Sequence, residues 1–164
     1  MEELAEVAGY FAAHGIWSVA SGGPLIPFVG LKHEGDEGKL VRFVDAGKLE
    51  RAVEKARELL ESNDEGARFG TLVYDAYVTL PEGKTDALIL ESRCYPEPTL
   101  RLTMAVPYRH PAHADGFAVH RPKFLGFEGP AAVDYQALSK AFFAGVDAHA
   151  EGAALWSQHL DQSR

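Results

Sequence analysis

The stretch GTLVYDAYVTLPEGKTDALILESRCYPEPTLRLTMAVPY, residues 70–108, decides the reading of the fold. Three runs rich in β-branched, aromatic and Leu residues, 70–80, 85–95 and 100–108, are punctuated by Pro81-Glu82-Gly83-Lys84 and Pro96-Glu97-Pro98-Thr99, the pattern of an antiparallel meander joined by tight loops. A further, Pro-interrupted strand is expected over 117–127. In the first run Leu72, Tyr74, Ala76, Val78 and Leu80 alternate with Thr71, Val73, Asp75, Tyr77 and Thr79. In the third, Leu100, Leu102, Met104 and Val106 alternate with Arg101, Thr103, Ala105 and Pro107. The middle run alternates less cleanly, with Leu88 and Leu90 on one side and Ala87, Ile89, Glu91 and Arg93 on the other. A slip of one residue exchanges the faces, so the loops alone leave the register open.

Working outward, residues 2–14 place Leu4, Val7, Ala8, Phe11 and Ala12 at helical spacing behind Glu2, Glu3 and Glu6, with Gly15 as a stop. Strands are expected over 16–20, 25–32 and 39–44, the second held to an edge or a strand start by Pro27. Glu34-Gly35-Asp36-Glu37-Gly38 reads as a solvated acidic hairpin tip without the ligand spacing of a calcium loop. Asp45 is a candidate N-cap for a helix over 47–63, whose apolar stripe runs from Leu49 through Val53 and Ala56 to Leu60. After Gly129-Pro130 one long helix is expected over 133–160, carrying Leu138, Phe142, Val146, His149, Trp156 and Leu160 along one stripe, with Gly145 and Gly152 as candidate bends.

The order α-β-β-β-α-β-β-β-(β)-α makes the class α+β: an antiparallel sheet of six to seven strands with helices on one face, in a single domain over 1–164. That order is similar to the type III secretion chaperone-like fold, in which small acidic proteins hold a partner protein on sheet and helix surfaces. The resemblance lies in topology and acidity and implies a partner-binding protein; no motif matches residue by residue.

Composition narrows the function classes. The formal charge of −8 argues against non-specific nucleic-acid or anionic-membrane binding. The single cysteine, Cys94, excludes a disulfide framework within the chain and a thiolate metal cage. No apolar run approaches the ~18 residues needed to span a bilayer, and Met1-Glu2-Glu3 precedes no apolar leader, so a cytoplasmic protein is expected. The sequence has no Gly-x-Ser-x-Gly elbow, no phosphate loop and no dinucleotide fingerprint.

What remains is a local charge asymmetry and a set of histidines. Arg93, Arg101, Arg109, Arg121 and Lys123 stand against only Glu97 and Asp115 over 93–123, a balance of +3 inside a chain of −8. With His120 they form a candidate partner- or anion-binding set. His110, His113, Asp115 and His120 are admissible zinc-ligand types, but in a Pro- and Ala-rich loop without a second matching pair they read as a polar surface loop, and no metal or cofactor is assigned. Cys94 reads as a small strand residue and His149 as a hydrogen-bonded histidine of the last helix. The expectation is a non-enzymatic protein-interaction module, such as a partner chaperone, adaptor or immunity-type inhibitor, acting on another protein and forming a homodimer. The alternative is a small-molecule-binding protein or enzyme with a pocket between sheet and helices, drawing on Glu91, Arg93, His110, His120 or His149.

Overall fold

The sheet grows from the meander. The computed structural model describes residues 1–35, 38–45, 48–130 and 132–163, so Asp36 and Glu37 of the acidic tip lie outside the described residues. Strands β3 (Phe69–Leu80), β4 (Gly83–Cys94) and β5 (Leu100–Arg109) pair antiparallel in sequence order, with Leu80 opposite Gly83 and Cys94 opposite Leu100. On the far side of β3 lie β1 (Phe28–Lys32) and then β2 (Lys39–Arg42). β5 is shared along its length. Its first half pairs with β7 (Lys123–Glu128), with a bulge at Thr103/Met104, and its end pairs with the two-residue β6 (Ala118–Val119). Pro122, in the segment between β6 and β7, has no N–H for a ladder, which fits the break there. The architecture is α+β, with four helices and a seven-stranded antiparallel sheet among the described residues.

Register settles the faces. Val73 pairs with Leu90 and Leu90 with Met104, so Phe28, Phe69, Val73, Leu88, Leu90, Leu102, Met104 and Val106 share one face. That face packs against α1 (Glu2–Val19), which is wedged between the sheet and α3 (Tyr135–Ala148), and both helices are apolar where they meet. Leu138, Phe142 and Val146 are buried there, each side chain contributing about 1.5–3 kcal/mol. The α1–α3 crossing is close because Gly9 and Gly145 lie in it. A Cβ on Gly145 would overlap the Glu6 carbonyl oxygen and lie 2.9 Å from the Tyr10 nitrogen, and one on Gly9 would overlap the Phe142 carbonyl.

The helices are not confined to one face. α2 (Leu49–Ser62) packs Val53, Ala56 and Leu60 on Val29, Leu31 and Leu72, which alternate with Phe28 and Val73 and therefore lie on the opposite side. An amphipathic stripe fixes that a helix is buried but not on which side of the sheet. Both sides of β3 are covered from Phe69 to Val73, so the apolar residues there do not segregate to one period, whereas from Tyr74 on the strand is half-buried or exposed.

Four further expectations are corrected. Residues 16–20 complete α1 and its cap instead of forming a strand: Ile16 and Val19 continue the helical spacing into the core, and Gly15 is no stop but fits against Leu88, whose Cδ1 a Cβ there would approach to 2.7 Å. The strand expected over 25–32 begins at Phe28, after Pro27, whose carbonyl accepts from Phe43 N–H. The last helix is two, α3 and α4 (Ala150–His159), because His149 takes an extended backbone and caps α4 with its own ring. Asp45 does not cap α2, which starts after Lys48; its carboxylate accepts from Lys55 instead, at 2.9 Å.

Candidate functional site

Two adjoining hollows lie on either side of the segment His120-Arg121-Pro122. This segment is stitched to the C-terminal end of the chain: Asp161 N–H donates to the Val119 carbonyl (2.8 Å), His120 Nδ1 lies 3.3 Å from the Asp161 carbonyl, and Arg121 donates to Gln162 (3.4 Å).

The first hollow, about 230 Å³, is polar. The β3–β4 hairpin supplies Tyr77, Lys84, Thr85 and Asp86, the end of β5 supplies Tyr108 and Arg109, and the following loop and β6 end supply His110, His113 and His120. Lys84 Nζ sits 3.9 Å over the Tyr77 ring. Tyr108 donates to Asp75 Oδ1 at 3.0 Å. Burial raises the Asp75 carboxyl above its usual range and the Asp86 charge adds to this, while the Tyr108 bond and His110 work against it. The phenol of Tyr108 is pushed up by its own burial and by the Asp75 charge.

The loop histidines are set by their own backbone. His110 Nδ1 accepts from Ala112 N–H and His113 Nδ1 from Asp115 N–H, both at 3.1 Å, which leaves the proton of each neutral ring on Nε2. A metal on Nε2 would need the proton on Nδ1 and would break those bonds. Among the described residues no three His, Cys, Asp or Glu side chains converge as a metal site. His110, His113 and His120 thus share a hollow, whereas Asp115 does not line it and lends its carbonyl to Arg109 (3.1 Å). Arg109 also donates to the Gly116 carbonyl at 2.7 Å and stands 3.7 Å from Asp161, so it holds the loop in place.

The second hollow, about 260 Å³, is apolar. Met104 and Phe142, both fully buried, and Pro122, Phe124, Phe143 and Leu160 line it, with Arg121, Ser139 and Gln162 as its polar members. The Tyr135 ring stands edge-on to Phe124 at 5.4 Å, and both Tyr135 and Leu160 are exposed large apolar residues. Sequence reasoning missed this groove. Phe124 belongs to the Pro-interrupted strand, while Phe143 lies on α3 and Leu160 is the extended residue that ends α4, two helices whose break was not legible; only the bulky residues beside Pro122 hinted at it.

The six residues of the candidate basic set are dispersed. Arg93 and Arg101 are register partners on the α2 side, and both are tied to Glu61 of α2, Arg93 at 2.5 Å and Arg101 at 3.1 Å. Arg109 and His120 line the polar hollow, Arg121 stands at the apolar groove, and Lys123 lies on β7 opposite Ala105. Glu91 is also on the α2 side: burial works to raise its carboxyl, but bonds from Arg57 (2.6 and 3.0 Å) and Tyr74 (3.0 Å) hold it below its usual range. Burial raises the Cys94 thiol, so the sulfur is kept in its un-ionised, weakly nucleophilic form. No helix among the described residues is long and apolar enough to cross a membrane. The chain matches no protein-family model, no curated protein and no solved structure.

Proposed function

We propose that this chain is a non-enzymatic protein-interaction module that takes a bulky apolar side chain of a partner protein into the groove between β7 and the α3–α4 pair. The observation that carries this reading is the groove itself. At about 260 Å³ it is smaller than the ~300–1,000 Å³ of pockets that enclose drug-sized ligands. It is lined by aromatic and aliphatic side chains, the environment in which an interface anchor contributes most. Arg121 and Gln162 supply polar contacts to the neighbouring partner backbone, and the polar hollow beyond His120 extends the surface. A cytoplasmic setting and a homodimer belong to the same reading, the dimer being one way to cover the groove. A second reading, a small polar ligand in the hollow beside Tyr108, draws on the raised Asp75 carboxyl, since perturbed carboxyls concentrate at functional sites.

The test is selection of a random peptide library on the immobilised full chain, with binding then measured on the wild type and on Leu160→Asp. Enriched peptides sharing a bulky apolar residue, with affinity at least about tenfold lower on the variant, are expected for loss of an anchor contact. No enrichment, or peptides that bind the variant equally well, overturns the reading, provided the circular dichroism of the two proteins is the same. Sedimentation over a hundredfold concentration range tests the dimer, and a constant monomer mass removes it.

A further inference from the structure

Outside both hollows, α1, β2 and the α3–α4 break bring together His14, Arg42 and His149. Both histidines are buried, at 8% and 7% exposure, and they form a continuous polar chain. Gly152 N–H donates to His149 Nδ1 at 3.0 Å, so the neutral ring carries its proton on Nε2. That nitrogen is 3.1 Å from His14 Nδ1, which therefore accepts, and the His14 proton is left on Nε2. The atom facing His14 Nε2, at 3.2 Å, is Nη2 of Arg42, and a guanidinium has no acceptor. Two donors thus confront each other at one end of an otherwise matched chain. Reversing the His14–His149 bond would only move the mismatch onto the buried Gly152 N–H, where the lost bond costs more. Arg42 is exposed and can yield.

We propose that His14 Nε2–H and the Arg42 guanidinium are the paired donors of a binding site for a small oxyanion, which supplies the acceptor that both lack. The surroundings favour an anion over a neutral acceptor. Among the described residues Arg42 has no carboxylate within ion-pair distance, and its only polar side-chain contact is His14. Rings of Tyr10, Trp17 and Phe28 pack on the histidine pair at 5.1–5.5 Å, lowering the local dielectric and strengthening charge-assisted bonds. Glu151, the carboxylate that acts on the pair, lies 3.8 Å from His149 Nδ1, at the opposite end of the chain from Arg42. Exposed Arg42 and half-exposed Trp17, whose tilted ring lies 5.5 Å from that of His14, put this end of the chain at the protein surface.

The experiment is a long-range proton–nitrogen spectrum of the full chain with labelled histidine at pH 7, titrated at constant ionic strength with acetate, sulfate or phosphate against chloride. Both rings are expected as Nε2–H tautomers, with a saturable shift of the His14 Nε2–H signal for at least one oxyanion and not for chloride. Arg42→Gln should weaken that binding by about tenfold or more, the loss of one charge-assisted hydrogen bond, and Glu151→Gln should leave it unchanged or tighter. Saturation by acetate points to carboxylate ligands, and saturation by sulfate or phosphate alone to tetrahedral ones. A Nδ1–H tautomer at His14, a shift that chloride reproduces or that never saturates, or equal binding by Arg42→Gln overturns the proposal.

Discussion

Replacing Gly145 by Ala separates two physical effects of opposite sign. Helix propensity alone predicts stabilisation, since Ala exceeds Gly by about 1 kcal/mol in a helix interior. At the α1–α3 crossing the added Cβ would overlap the Glu6 carbonyl oxygen and approach the Glu6 carbonyl carbon to 2.7 Å and the Tyr10 nitrogen to 2.9 Å. These are backbone atoms, with no rotamer to yield, so the helices must part. Parting them loosens the packing of Phe142 and Val146, both buried at this contact. Overpacking typically costs 1–3 kcal/mol, and rigid neighbours put this site at the upper end, so a net loss of about 2 kcal/mol is expected after the propensity gain of about 1 kcal/mol. For a chain of this size that lowers the melting temperature by roughly 4–8 °C. Urea denaturation followed by circular dichroism measures it, with Gly126→Ala as control, since a Cβ at Gly126 meets nothing within 4 Å. A Gly145→Ala protein as stable as the wild type or more so would refute the crossing described here.

Acid should weaken the fold through His14, whose pKa burial, then His149 and Arg42, lower from 6.5 to about 4. The unfolded chain binds the proton first, so stability falls as pH drops from 6.5 toward 4, by about 2 kcal/mol between pH 6.5 and 5; urea midpoints across that interval should show it, and a slope unchanged by His14→Gln would contradict it. Arg57 and Glu91, 2.6 Å apart with Glu91 only 14% exposed, should show a double-mutant coupling of about 1–2 kcal/mol. The more exposed Lys39–Glu65 pair should couple more weakly, and equal couplings would remove the distinction drawn from burial.

The meander was legible because its alternation and its punctuation agree: Pro81 and Pro96 both fall between the strands that form, and Leu100, Leu102, Met104 and Val106 all face α1 as their period requires. The uneven middle strand was also informative, since Leu88 and Leu90 lie under α1 while Ala87 and Ile89 form a small apolar cluster on the reverse side with Ala105. Segment 16–20 misled because Ile16 and Val19 are β-branched, yet tertiary burial outweighs that local preference. The break at His149 was hidden because the two glycines that flank it, Gly145 and Gly152, serve close approach to α1 rather than bending. Neither the groove nor the Arg42–His14–His149 chain has a local signature: each joins residues more than twenty positions apart, which only the packed structure brings together.

The division of β5 between β6 and β7 also governs how the sheet meets other chains. An unbroken outer strand would offer a long row of free amides and carbonyls for edge-to-edge growth into aggregates. Here that border is cut at Pro122, the longer piece is kinked by a bulge, and the opposite border is the four-residue β2, ended by Lys39 and Arg42. Neither rim is a good template for strand addition. Self-association of this protein should accordingly run through side-chain surfaces rather than shared backbone ladders, which leaves the folded state resistant to amyloid-type stacking despite its three long central strands.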